Sequence, residues 1–540
     1  MGGIWQQRYV LVGNSLGWSA ALAILPTLLL LYLLAVKRKA SWIAALSGLA
    51  AALLLAVAGY GMPPTLAISS ALDGACFGLF PISWIVFWAL VLYEISVVTG
   101  KFEIIKESIG SVTSDKRVQA LLIAFAFGAF IEGCAGFGTP VAVAAAMMVG
   151  LGFTSLYASS LCMLADTAPV AFGSIGIPII TLAGVTGLPL KELSAVTGRL
   201  TFPFSLCLPA YIVLVTSGAG AMAEIWPAVV TCGVVFAGIQ FTISNLIGPQ
   251  LADILSSLCA MGALVLLLRF WKPAVNSEYT MQLRSDRPHH TGREIWDAWL
   301  PYTLLVVFVL LWGQPSILAH LDAVSVKFPW PGLHNLVLRM PPVVATPSKY
   351  GAIYTFSWLS ASGTSAMLAS LLAAAILRMS LRALGGVLIS VALKLIKPTV
   401  TVSAMLGMAY LMNYSGATGT LGLAFAATGT VFPFFSPLMG WLGVFLTGSD
   451  TSSNALFGNL QVVSASKLGL NPVLVASANS VGGVMGKMIS LQSIAVAAAA
   501  TGMPADEQAQ LFRFTLKHSI LLAALVGVET MLYAYLARPH

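Results

Sequence analysis

Apolar runs close to the thickness of a bilayer recur along this chain: Leu16–Val36, Ser41–Tyr60, Ile82–Thr99, Ile225–Ile247, Leu251–Phe270, Trp358–Leu377, Gly419–Phe435 and Phe514–Leu536. A helix needs ~20 apolar residues to cross hydrocarbon, and no water-facing fold can bury so many of them. Charge content agrees: 9% of the 540 residues are charged, against about 25% in a soluble domain. A membrane β-barrel would show short alternating strands instead. The expected fold is an all-α polytopic membrane protein with about 12–14 membrane elements of this kind.

A net charge of +8 invites a nucleic-acid reading, but its distribution argues against one. Lys37, Arg38 and Lys39 follow the first run, and Lys101, Lys106, Lys116 and Arg117 follow the third. Lys272, Arg284, Arg287 and Arg293 sit in a central polar stretch. Short loops rich in Lys and Arg stay in the cytoplasm, so these charges set topology and put the N-terminus outside. "MGGIWQ" lacks the hydroxyl residue of a myristoylation signal, and the first apolar run is long enough to be a span rather than a cleaved signal. The six cysteines are scattered singly, with no CxxC pair, which supports neither a disulfide framework nor a zinc site. All six histidines (His289, His290, His320, His334, His518, His540) fall in loops or near run ends. No metal and no cofactor is expected.

Three segments follow. Residues 1–270 form a first membrane half and residues 298–540 a second. Between them, 271–297 is a cytoplasmic connector. The Pro-rich stretch 314–349 reads as an ordered external loop. The halves resemble each other: "GAFIEGCAGFGTP" (Gly128–Pro140) aligns without a gap on "GVFLTGSDTSSNA" (Gly443–Ala455), and "LADTAPVAFG" (Leu164–Gly173) on "SANSVGGVMG" (Ser477–Gly486). Secondary transporters are commonly built from such duplications, with the substrate held on interrupted helices at the bilayer midplane. Apolar runs of only about a dozen residues flank the matched segments, too short for full spans. Each half is therefore expected to hold a re-entrant hairpin and a broken helix, at about 118–186 and 437–503. The hairpin tips would lie near Glu132–Thr139 and Ser449–Asn454, and the breaks near Asp166–Gly173 and Asn479–Gly486.

In "FLTGSDTSSNALFG" (Phe445–Gly458), the middle Gly448–Asn454 puts an acid, four hydroxyls and an amide between apolar segments. Charges at membrane depth cost at least ~2.5 kcal/mol each, yet Glu132, Asp166, Asp450 and Lys487 all fall at or beside the four interruptions. The structural alternative is that they cap broken helices or pair with one another. Free N–H groups at a helix start favour an anion, and Ser449, Thr451, Ser452, Ser453 and Asn454 can cap that start or bind a polar solute. Gly136 and Gly138 permit tight turns and close ligand approach, although small residues also serve helix packing. Asp73 and Glu529 match nothing in the other half and read as local caps or pairs, and Glu94 as a snorkelling end residue. Tyr410, Asn413 and Tyr414 are placed to line a cavity just before a span. "GVMGKMIS" lacks the spacing of a phosphate-binding loop.

The strings "FIEGCAGFGTPVAVAAAMMVGLGF", "TAPVAFGSIGIPI", "RMPPVV", "FFSPLMGWLGVFLTGSDTSSNALFGNLQ" and "GGVMGKMISLQSIA" resemble the bacterial lactate permease family, which includes L-lactate and glycolate permeases. The resemblance covers nearly the whole chain; Cys134 stands where a small residue such as Ala is expected. It implies proton-coupled uptake of L-lactate, D-lactate or glycolate across the inner (plasma) membrane of a bacterium. It also implies inverted repeats, paired hairpins, elevator-like motion and, often, a homodimer. In that reading the carboxylate meets hairpin-tip N–H groups, hydroxyls and Lys487, while Asn454, Asn479 and Gln492 take the 2-hydroxyl. A desolvated acid carries the proton: Asp450 first, Glu132 second, with Asp166 a third candidate. The alternative is a sodium-coupled carrier of another small organic anion on the same scaffold. An intramembrane enzyme is disfavoured, since no HExxH motif is present.

Overall fold

The structure is a computed structural model and describes residues 4–136, 138–274, 279–280 and 290–536. Arg284, Arg287 and His289 of the connector, and His540, lie outside the described residues. Among those described, 11 helices are long and apolar enough to cross a membrane, or up to 13 if each of two bent pairs is one span. The chain is an all-α polytopic membrane protein.

Two hairpins occupy the interior. The first runs up through Lys116–Cys134, reverses and returns as Thr139–Gly150. Its rising arm is wholly buried, whereas only 28% of the apolar window of Leu190–Glu224 is buried. The hairpin is thus enclosed by protein, and the long helix faces lipid. Irregular backbone at membrane depth is tolerated only in that enclosed setting. The second hairpin rises through Phe432–Thr447, turns at Gly448–Ser449 and returns as Asp450–Leu468. Gly448 takes φ +75° at the turn, a left-handed conformation that glycine adopts without a Cβ penalty. Ser449 caps the returning helix by accepting from the Ser452 N–H at 3.2 Å.

A broken helix follows each hairpin. Ser155–Ala165 and Val170–Thr186 meet at a 65° bend, with Ser174, Ile175 and Gly176 all at positive φ. In the second half, the break expected near Asn479–Gly486 is not there. Pro472–Lys487 is one unbroken helix, and the chain breaks after it, before Leu491–Thr501. The glycines that suggested a break are packing contacts instead. A Cβ on Gly482 would press on the Pro437 carbonyl, and one on Gly486 on the Trp441 carbonyl. Asn479 is accordingly mid-helix and is no structural counterpart of Asp166, which ends its helix.

The expected span Gly419–Phe435 is also replaced. A short helix Ala417–Ala426 ends there, Gly429 takes φ +66°, and Pro433 opens the second hairpin. Tyr410, Asn413 and Tyr414 lie inside the long helix Leu381–Ser415 rather than ahead of a span. His518 lies within the helix Ala505–Tyr535, 2.5 Å from the Tyr211 hydroxyl, not at a loop. Glu94 pairs with Lys394 at 2.5 Å. Asp73 and Glu529, read as capped or paired, have no hydrogen bond or ion pair among the described residues.

The Pro-rich loop is a small folded cap that reaches beyond Lys349. Val337–Arg339 pairs with Ser348–Tyr350 and, in parallel, with the N-terminal strand Trp5–Gln6. Val326–Pro329 pairs with Ile353–Phe356. Hydrogen bonds from Ser325 and Lys327 hold the Asp322 carboxyl of this cap below its ordinary range.

Candidate functional site

The first hairpin tip, the first break, the second hairpin turn and the second break converge on one buried cavity of about 60 Å³. Glu132 and Gly138 come from the first hairpin, and Ser174 and Pro178 from the first broken helix. Ser449, Asp450 and Thr451 come from the second hairpin, and Lys487, Gln492 and Ser493 from the second broken helix.

Lys487 is the cation of the site. Its Nζ lies 3.0 Å from Glu132 Oε1 and 3.1 Å from Asp166 Oδ2. Being the last residue of Pro472–Lys487, it carries its charge at a helix C-terminus, where the dipole favours a cation. Asp450 has no cation within pairing distance among the described residues. Its Oδ2 accepts from the Ser480 hydroxyl at 2.5 Å and from Asn454 Nδ2 at 3.2 Å, while Oδ1 has no hydrogen-bond partner. Glu132 Oε2 is likewise unpartnered. A fourth acid, Asp253, is buried behind the first hairpin, held at 3.1 Å by Gln240 Nε2 with its other oxygen unpartnered.

The residues singled out from sequence divide by what they touch. Glu132, Gly138, Ser449, Asp450, Thr451, Lys487 and Gln492 line the cavity. Asp166 does not, but holds Lys487 from behind. Asn454 and Asn479 are positioning residues rather than cavity walls. Gln461 donates to Asn479 Oδ1 (3.1 Å), Asn479 to Asn454 Oδ1 (3.0 Å), and Asn454 to Asp450. Ser453 ties the hairpin arms together by donating to the Gly440 carbonyl at 3.0 Å, and Ser452 supplies the capped N–H. Gly136 packs against Ser174, whose hydroxyl donates to the Ala135 carbonyl at 2.9 Å and locks the first tip to the first break. Sequence reasoning did not single out Ser174, Ser480, Ser493, Gln461, Gln240 or Asp253. Asp253 carried the one usable signal, an acid two residues into an apolar run.

Two glycines keep the acids in place. A Cβ on Gly173 would enter the Glu132 carboxyl, and one on Gly483 would enter the Asp450 carboxyl. Asp450 sits on the first turn of a helix and has little room to retreat. Gly483→Ala is therefore expected to cut transport at least about tenfold, since overpacking a fixed site costs on the order of 1–3 kcal/mol. Gly150→Ala, which meets nothing within 4 Å, is the control and should transport normally. Equal activity of the two variants would show that Asp450 tolerates displacement.

Residues 19–537 match a family model described as L-lactate permease. The chain belongs to the L-lactate permease family. It is a transporter, not an enzyme, and a multi-pass protein of the bacterial plasma membrane. An L-lactate permease of Bacillus subtilis (strain 168) is 44% identical, with 98% of each chain covered. A glycolate permease of Escherichia coli (strain K12) is 42% identical, again over 98% of each. Among solved structures, the Alcanivorax borkumensis YdaH transporter aligns over 86% of this chain and 87% of its own, at 14% identity and a TM-score of 0.46.

Proposed function

We propose that this permease carries L-lactate, D-lactate or glycolate across the plasma membrane together with a proton. The observation that carries this reading is the cavity in which Lys487 and the hydroxyls of Ser449 and Thr451 meet an acid, Asp450, that has a free oxygen and no cation. A water needs about 10–15 Å³ of such space, so about 60 Å³ suits a solute of a few heavy atoms, as a two- or three-carbon hydroxy acid is. The names of the relatives, L-lactate and glycolate permeases, point to the same chemical class.

Charge balance supports the proton. Lys487 faces two carboxyls, with Asp450 and Asp253 close by, so the site already holds more acids than cations. An incoming carboxylate adds a further negative charge to a dry site, where unpaired charge is costly. A proton taken up on Asp450 offsets it. Lys487 and the Ser449 and Thr451 hydroxyls then bind the carboxylate, and Gln492 offers an amide to the 2-hydroxyl. Moving anion and proton together also avoids work against the membrane potential, ~2.3 kcal/mol per charge at 100 mV.

In proteoliposomes with an acidic exterior, labelled lactate is expected to accumulate above equilibrium, and a protonophore should abolish the overshoot. Replacing Na⁺ with choline should change nothing. Uptake that needs Na⁺ and ignores the pH gradient would instead favour a sodium-coupled carrier.

A further inference from the structure

A second polar cavity, of about 710 Å³, lies beneath the folded cap. Its walls include Arg339 from the cap strand Val337–Arg339, Asp73 from the helix Pro64–Phe77, and Tyr410, Asn413 and Tyr414 from the long helix Leu381–Ser415. Arg339 and Asp73 carry opposite charges, yet no ion pair joins them. Among the described residues, neither side chain makes a hydrogen bond. Asp73 is 5% exposed, and Arg339 Nε is buried without a partner. The guanidinium lies 4.8 Å over the Tyr350 ring. Stacking of that kind fixes its plane and leaves the in-plane N–H donors free for a planar anion.

The cavity is joined to the central site by shared helices. Pro178 lines the central cavity, and Gly184 and Val185 on the same helix line the outer one. Thr451 and Asn459 stand in the same relation on the returning arm of the second hairpin. At 1.5 Å per helical residue the two cavities are about 10 Å apart. Between them the helices close on each other at Gly458, where a Cβ would meet Leu182 at 2.6 Å and Val185 at 3.2 Å. That contact is an apolar partition between two polar chambers.

We infer that the outer cavity is a second substrate site, an antechamber in which Arg339 takes the carboxylate of a small hydroxy acid before it passes the Leu182–Val185 partition. Asp73 and the Asn413 and tyrosine side chains surround the hydroxyl end. The inference rests on the proposed hydroxy-acid transport and adds a binding step ahead of it.

Equilibrium binding of labelled lactate to the purified full chain in lipid nanodiscs tests it, alongside uptake kinetics. The expected stoichiometry is two per chain. Arg339→Gln should leave one and raise the uptake KM about tenfold, as for loss of a charge-assisted hydrogen bond, with kcat unchanged. Arg339→Lys should recover part of the affinity. The triple variant Lys487→Met, Glu132→Gln, Asp166→Asn, which lacks the central cation, should still bind one lactate at the outer site, competed by glycolate. One lactate per wild-type chain, together with an unchanged KM in Arg339→Gln, overturns the antechamber and leaves the central transport reading standing. Wild-type chain that neither binds nor transports hydroxy acids removes both.

Discussion

Asp450→Asn is expected to abolish pH-driven accumulation of lactate while the protein still folds and still exchanges labelled for unlabelled substrate. Asparagine has nearly the same shape, and its side-chain oxygen can keep accepting from Ser480 and Asn454, which hold Asp450 Oδ2 at 2.5 and 3.2 Å. What it cannot do is gain and lose a proton. The initial rate of uptake under a pH gradient should fall by about two orders of magnitude, the lower end of what removing a positioned proton carrier costs. Measuring lactate and proton fluxes in the same vesicles decides the point. Undiminished proton uptake with lactate accumulation in the variant would remove Asp450 from the coupling role and pass it to Glu132, whose Oε2 is the other free oxygen bordering the cavity.

Lys487→Met should be more damaging, because it acts on the fold as well as on transport. The ammonium is shared by Glu132 and Asp166 at 3.0 and 3.1 Å, and all three groups are buried. Removing one partner of a buried ion pair costs about 3–5 kcal/mol, chiefly because the remaining charge is stranded. A lower melting temperature in detergent and a loss of uptake are both expected. A triple variant, Lys487→Met with Glu132→Gln and Asp166→Asn, separates the two effects. It should regain thermal stability, since no charge is left stranded, but not lactate transport, since the carboxylate has lost its cation. Wild-type transport by the triple variant would reduce Lys487 to a structural counter-ion.

Both hairpin turns could be read from sequence, because glycines and hydroxyls set among apolar residues have few other uses at membrane depth. Asp450 and Lys487 were legible for the same reason: a charge there must be answered by something. The second break was not. Gly482, Gly483 and Gly486 let helices touch, and in sequence a contact glycine and a hinge glycine look alike. Only the neighbouring Pro437 and Trp441 carbonyls tell them apart. Ser480 and Gln461 act through partners 30 and 18 residues away, so their roles depend on a topology that local pattern does not contain. Asp73 shows the opposite failure. It matches nothing in the other half and reads as a local cap or pair, yet among the described residues it is an unpartnered wall of the outer cavity.

The strand pairing between Trp5–Gln6 and Val337–Leu338 also imposes a parity rule. Residues that hydrogen-bond outside the bilayer share a face, so the chain between them must traverse it an even number of times. Among the described residues, seven single membrane-length helices and two bent pairs lie in that interval, an odd count. A second contact, Lys116 N–H to the Tyr279 carbonyl at 2.8 Å, encloses four of those helices and one bent pair, odd again. Both discrepancies vanish if the one enclosed helix that doubles back, Lys116–Cys134, never completes its passage. The arithmetic then places Lys37–Lys39, Lys101 and the 279–280 segment together on the face opposite the strands, as a positively charged cytoplasmic side requires.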